Sequence, residues 1–434
     1  MAATNNSQVQ RHLVTVWQSL NKCLPPQEPD IDFWWQLTGY HLANMVKEAD
    51  YSIERQFETL LFHYHWIVPR LGPAPGPDGR AKWRSLVGID GSPMEYSWKW
   101  NTTTSEPDIR YSWEPINKIS GTALDPLNHS ASLEYMFHVP TVVSDVDFTW
   151  AHHFLANLFD HDLSKYAKEF AGGTQPATTF LHAVEYVRSG IGLKSYFVPR
   201  KLGQRDPLTI KQWDEAIVKL NPNNAGRDTL MEFLTRNPEG QLFKPVILAM
   251  DDVAPSKSRL KLYFTTPHTS FLSVREIMTM GGLIDVPETG MQDLRSFIAA
   301  TLGLPDDYPE DAEIPSEPPG GKKWALSEAL VDGYVYYFDI APHNKVPGIK
   351  FYNPTRRYGP DDLAIAKGLM NWLKARGRGA YCDNYLRMME SVAEHRGLEN
   401  GKGMHTYISY MFDKNGEPDI KSYIGPEAYH PARF

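Results

Sequence analysis

The chain has 434 residues, 42% hydrophobic and 12% aromatic, enough apolar material for a large core. A formal net charge of −8 excludes nucleic acid as the main partner, so any basic pocket has to be local. Two cysteines in no metal-ligand spacing, an N-terminal MAATNNSQVQRHL without an apolar signal core, and no membrane-length apolar run lead to the expectation of a reduced, cytoplasmic protein without a membrane partner.

The first 70 residues read as helices. Leu13, Val16, Trp17 and Leu20 keep helical spacing, Asp30 is expected to cap a helix carrying Phe33, Trp34, Leu37 and Tyr40, and a third helix runs from Ser52 to Trp66. Two strands are expected at 84–99 and 108–116, then helices at 128–138 and 147–160. TTFLHAVEYV-RSG-IGLKSYFV reads as a hairpin. Helices at 207–220 and 227–236, strands at 243–252 and 258–265, and helices near 270–280 and 290–302 follow. The acidic, Pro-rich stretch 305–323 is expected to be a surface loop. Strands at 332–341 and 347–353, helices at 361–376 and 381–396, and a hairpin of HTYISYMF with IKSYI complete the chain.

This is helix–strand–strand–helix, repeated about five times. Ten antiparallel strands in an open sheet would leave bare edges, so closure into a barrel wrapped by helices is expected. Residues two apart on a strand share a face. Arg259, Lys261 and Tyr263 therefore face one way in RLKLYF, and Leu260, Leu262 and Phe264 the other. Lys194 and Tyr196, Lys350 and Tyr352 repeat the pairing; Glu95 and Arg110 come from the first hairpin, Tyr407 and Tyr423 from the last. Five hairpins aiming cations and phenols inward would make one pocket. Such a pocket suits a phosphorylated ligand that becomes a carbocation.

In order and spacing, the EYSW box at Glu95, the K-x-Y of Lys194 and Tyr196, and the R-x-K-x-Y of Arg259 to Tyr263 resemble the aromatic prenyltransferases of the dimethylallyltryptophan synthase family, over nearly the whole chain. That resemblance implies an α+β fold, the αββα (ABBA) prenyltransferase barrel, as a single domain over 1–434. It implies transfer of a dimethylallyl group from dimethylallyl diphosphate to an indole, by Friedel–Crafts alkylation without a metal or other cofactor, in indole alkaloid biosynthesis. Glu95 would accept the indole N–H and steady the positive ring. Arg110, Lys194, Arg259, Lys261 and Lys350 would hold the diphosphate. Tyr196, Tyr263, Tyr352, Tyr407 and Tyr423 would shield the cation from water and stabilise it on their faces. His182 sits where relatives carry a lysine implicated in the final proton removal; its two readings are that base and a packed core histidine.

Two departures bear on the acceptor and donor. Relatives acting on free tryptophan have an arginine where this chain has Val246, which favours a neutral indole such as a tryptophan-containing cyclic dipeptide over the free amino acid. A late basic position in some relatives is Asp413 here, with Lys414 adjacent. Two rivals of other classes are a metal-dependent terpenoid enzyme, whose nearest acidic box is DDYPE at Asp306, and a non-catalytic barrel that binds aromatic ligands.

Overall fold

Alternation decides the architecture. The strands are β1 (Met94–Lys99), β2 (Asp108–Trp113), β3 (Phe180–Val187), β4 (Gly190–Phe197), β5 (Lys244–Asp251), β6 (Leu260–Thr266), β7 (Tyr334–Ile340), β8 (Gly348–Asn353), β9 (His405–Phe412) and β10 (Pro418–Ile424). Chain neighbours pair antiparallel, and β1 also pairs with β10, from Tyr96 opposite Ile424 to Lys99 opposite Lys421, so the sheet closes on itself. No edge is left to aggregate. The computed structural model describes residues 14–76, 79, 81, 83–162, 164–165, 178–201, 208–315, 333–413 and 416–434. Leu13, Lys414 and the Pro-rich stretch beyond 315 lie outside the described residues.

One face of each strand packs on the surrounding helices. Met94, Tyr96 and Trp98 of β1 and Leu260, Leu262 and Phe264 of β6 belong to this outer core and are essentially inaccessible. Tyr385, on the helix Cys382–Val392, meets Trp98 and Trp100 at 5.5 and 4.5 Å between ring centres. Tyr135, on the helix Ser130–His138, meets Trp113 edge-on at 4.9 Å. Burial of a large apolar side chain in this layer contributes about 1.5–3 kcal/mol. The other face lines the lumen, where Ala249, Tyr263, Val335, Tyr337 and Tyr352 form a second, smaller cluster.

The expected elements are present, with local corrections. The strand expected from residue 84 begins at Met94. Residues 83–93 instead cross one end of the barrel, because the buried Glu114 carboxylate accepts hydrogen bonds from Trp83 (3.1 Å) and Ser85 (2.5 Å), as well as from Asn128 and Thr178. Gly91, at φ 96°, makes the turn there. Asp30 is not a cap: the helix opens at Pro29, and the Asp30 carboxylate accepts from the backbone N–H of Ala74 across the fold. Residues 305–315 form a loop, as expected, with Asp306 and Asp307 exposed. Among the described residues, no helix is long and apolar enough to cross a membrane.

Two bulges interrupt the lumen wall. Opposite β6, Pro245 pairs with Phe264 and Ile247 with Tyr263, so Val246 is an extra residue. Opposite β10, Tyr407 pairs with Tyr423 and His405 with Ile424, so Thr406 is extra. A bulge breaks strict alternation and lets two successive side chains address one face.

Candidate active site

The lumen sorts its chemistry along the barrel axis. The hairpin turns lie at one end, and there a cavity of about 330 Å³ is lined by cations and carboxylates together. Arg110 and Lys194 both contact Glu185. Asp251 accepts from Lys261 at 2.6 Å and Arg259 at 2.9 Å, with Lys194 at 3.6 Å. Arg259 also reaches Asp339 at 2.7 Å. Asp419 lies between Lys350 and Lys421, at 3.7 and 3.9 Å. Burial pushes the carboxyls of Glu185, Asp251 and Asp419 up, but the surrounding ammonium and guanidinium groups outweigh it and hold them well below the usual range. Burial, with Lys194 nearby, lowers the Lys261 amine to about 8 against the pull of Asp251. Burial lowers Lys350 and Lys421 as well. A polyanion entering this end would meet amines ready to hold their protons more firmly.

Phenol rings form the next layer. Tyr263 lies 5.8 Å from Tyr352 and 5.2 Å from Tyr337 between ring centres, and Tyr196 lies 6.3 Å from Tyr263. Tyr352 in turn lies 5.5 Å from Tyr423 and 6.1 Å from Tyr407. Their hydroxyls link as well, Tyr423 to Tyr352 at 3.3 Å and Tyr352 to Tyr263 at 3.5 Å. Burial raises each phenol above its usual range, so all of them stay protonated. The layer is therefore neutral, and its ring faces can carry a cation only through their quadrupoles.

Beyond the tyrosines stands Glu95. It sits on β1 opposite Ser112 of β2 and accepts a hydrogen bond from the Thr406 hydroxyl at 2.5 Å. Burial lifts its carboxyl to about 7, and the Thr406 bond and the charge of Arg356 offset only part of the rise. Arg356 comes from the short helix Thr355–Tyr358 that directly follows β8. Its guanidinium donates to the Tyr407 hydroxyl at 2.7 Å and lies over that ring at 4.5 Å. A carboxyl poised near neutrality, beside a tyrosine-lined chamber, can take a proton from an acidic N–H or O–H.

A family model described as Tryptophan dimethylallyltransferase matches residues 30–388. The chain belongs to that family. It is 54% identical over 432 residues to prenyltransferase anuH of Penicillium roqueforti, covering 98% of this chain and 96% of that one. It is 46% identical over 418 residues to xanthone prenyltransferase A of Emericella nidulans, covering 92% and 94%. AnaPT of Neosartorya fischeri and NotF in complex with brevianamide F and DMSPP match with TM-scores of 0.77 and 0.76. Each is 19% identical, covers 95% of this chain and 98% of its own, and is a likeness of fold. The chain is a prenyltransferase with the αββα barrel.

In this member of the tryptophan dimethylallyltransferase family, every expected site residue but one faces the lumen. The exception is His182. Its neighbours Leu181 and Ala183 face inward, so alternation turns His182 outward, where it packs between Phe180, Trp113 and Tyr135 at 4.5, 6.0 and 5.1 Å. Burial holds its imidazole neutral, down to about 3. It is a packed histidine of the outer core. Sequence reasoning missed the partners of the cations: Glu185, Asp251, Asp339 and Asp419 share the lumen face, which alternation applied to the facing strand would have found. It also missed Lys421, although Lys421 and Tyr423 repeat the same K-x-Y spacing, and Tyr337, hidden in a run of aromatics. Thr406 gave no signal, because a bulge decides where it points. Arg356 gave none either, since it lies outside the strands. Val246 packs against the tyrosine cluster, so the wall expected to lack an arginine is apolar. Asp413 lines the cavity at the turn end. Among the described residues, no three His, Cys, Asp or Glu side chains gather as a metal site.

Proposed function

We propose that this prenyltransferase moves a dimethylallyl group from dimethylallyl diphosphate to a neutral aromatic acceptor of the hydroxylated, xanthone-like kind. The axial order of the lumen carries the reading: cations at the turn end, phenol faces in the middle, and Glu95 beyond them. Arg110, Lys194, Arg259, Lys261, Lys350 and Lys421 take the diphosphate, doing by side-chain charge what a metal ion does elsewhere. The C–O bond of the donor breaks with its electron pair leaving on the diphosphate. The dimethylallyl cation then lies among Tyr196, Tyr263, Tyr337, Tyr352, Tyr407 and Tyr423, screened from water. A ring carbon of the acceptor supplies the pair that forms the new C–C bond.

Glu95 takes the proton from the acceptor's O–H as positive charge builds on the ring. The immediate product from a phenol is then a neutral dienone. Glu95 then returns that proton to the oxygen and, ionised again, takes the ring C–H proton as aromaticity is restored, releasing it to solvent afterwards. One lumen base is enough for that sequence, which agrees with His182 lying outside the lumen. Xanthone prenyltransferases A and B, named for an oxygen tricycle, are 46% and 43% identical to this chain, which supports an oxygenated acceptor. The family description and the apolar pair Val246 and Ile247 favour a second reading. That reading is a neutral tryptophan-containing cyclic dipeptide whose indole N–H sits on Glu95. On either reading residues 1–434 work as one domain in a reducing cytoplasm, in keeping with barrel strands drawn from residues 94–424 and with two free cysteines.

Initial rates with dimethylallyl diphosphate in EDTA separate these acceptors. The panel is a hydroxyxanthone, a tryptophan-containing cyclic dipeptide and free L-tryptophan, with products identified by NMR. The hydroxyxanthone is expected to give the highest kcat/KM. A higher value for the cyclic dipeptide overturns the phenol reading, and a higher value for L-tryptophan overturns both neutral readings.

A further inference from the structure

We propose that Arg356 determines acceptor specificity, by binding a carbonyl or ionised oxygen that sits ortho or peri to the hydroxyl held by Glu95. This rests on the phenolic reading above and names the subclass of phenol it implies, the o-hydroxycarbonyl aromatics. The guanidinium is placed, not loose. Arg356 follows β8 within one turn, on the helix Thr355–Tyr358. That turn is anchored on both sides: Thr355 donates to the backbone oxygen of His405 at 3.2 Å, and the Tyr358 hydroxyl accepts from the Gly333 N–H at 2.9 Å. Gly359 ends it where an added Cβ would meet the Thr355 oxygen at 2.6 Å, so the chain leaves in one direction.

The side chain is fixed as well. It lies over the Tyr407 ring at 4.5 Å and donates one N–H to the Tyr407 hydroxyl at 2.7 Å. A guanidinium has five N–H donors in a plane, so it can hold Tyr407 and grip a ligand oxygen together. Tyr407 also stands perpendicular to Tyr352, at 89°, so this cation sits just behind the tyrosine layer, on the side of Glu95. Thr406, which donates to Glu95, directly precedes Tyr407, which accepts from Arg356, so the β9 bulge sets Glu95 and Arg356 against consecutive residues.

An acceptor whose O–H reaches Glu95 therefore turns the adjoining ring position toward Arg356. In a phenol with a carbonyl beside the hydroxyl, that position carries an oxygen to accept the guanidinium. The same contact draws electron density from the carbonyl and acidifies the hydroxyl that Glu95 has to deprotonate. In an indole, the position beside the N–H is a C–H, which gives a guanidinium nothing in exchange for the water it displaces.

The test compares 2-hydroxybenzaldehyde with phenol, as the minimal pair with and without the carbonyl, on wild type, Arg356→Gln and Arg356→Lys. Wild type is expected to favour the aldehyde, and Arg356→Gln to lose that preference by ~10–100-fold, the range for a charged hydrogen bond. The loss should fall mainly on the acceptor KM for the aldehyde, and less on the KM for phenol. Arg356→Gln should also move the acid limb of kcat/KM above its wild-type position, because Glu95 loses the cation that favours its ionised form. Arg356→Lys keeps the charge, so it should leave the limb in place and keep part of the preference. A packing defect would change neither the ratio nor the limb. Phenols accepted with the same ratio in wild type and Arg356→Gln overturn the assignment of Arg356 alone. Neither phenol accepted, with an indole turned over, overturns the phenolic reading and this assignment with it.

Discussion

Exchanging Glu95 for Gln keeps the side chain's shape and an oxygen for Thr406 to donate to, but removes the charge and the proton site. Burial has lifted this carboxyl from 4.5 to about 7, so at about 1.36 kcal/mol per pH unit its ionised form costs about 3 kcal/mol in the empty lumen. A ring that turns positive beside it recovers that energy, and does so chiefly in the transition state. Glutamine offers no such recovery. The expected loss in kcat/KM for the acceptor is thus ~10²-fold, at the lower end of what a preorganised electrostatic contact supplies. Initial rates from pH 5.5 to 9 measure it. Wild type should rise by one proton through about pH 7 and level off, since only the ionised carboxylate accepts a proton. The Gln variant should be low and flat over the same range. Binding of a thiolodiphosphate donor analogue, read by calorimetry, should not change, because the cations lie at the other end of the lumen. A variant that keeps more than half of the wild-type rate, or keeps the acid limb, refutes the role given to Glu95.

Donor binding at pH 8 should draw protons from the buffer, because the Lys261 amine sits near 8 in the empty lumen and a diphosphate raises it. Calorimetry in two buffers of different ionisation enthalpy reads the uptake, and Lys261→Met should diminish it. Turnover should persist in EDTA with fresh enzyme; complete loss, restored by Mg²⁺, would return the metal-dependent reading to contention. His182→Ala should cost about 2–4 kcal/mol of stability by urea unfolding, as a buried ring lost from the outer core, while the pH limb of kcat/KM stays where it is. A shifted limb would bring His182 back into the chemistry.

Period-two patterning within each hairpin, together with the count of hairpins, was enough to give the barrel and the inward cations and tyrosines, because strand geometry ties parity to facing. Lys194 with Tyr196, and Lys261 with Tyr263, were legible for that reason. Parity also held the answer for His182, whose neighbours Leu181 and Ala183 line the lumen, but resemblance to a lysine position spoke against it. What the tertiary structure alone decided is which charges meet. Asp251 neutralises Lys261 and Arg259 only because β5 and β6 pair in one register, and Asp419 does the same for Lys350 only because β9 pairs with both β8 and β10 and brings the two side chains together. The bulges at Val246 and Thr406 turn side chains that alternation would have sent outward. The field at Glu95 depends on Arg356, which is 261 positions away in the chain and reaches it only when the barrel closes. Facing is a local property of the backbone, whereas the desolvation and pairing that set an acid near neutrality depend on groups that only the closed fold brings together.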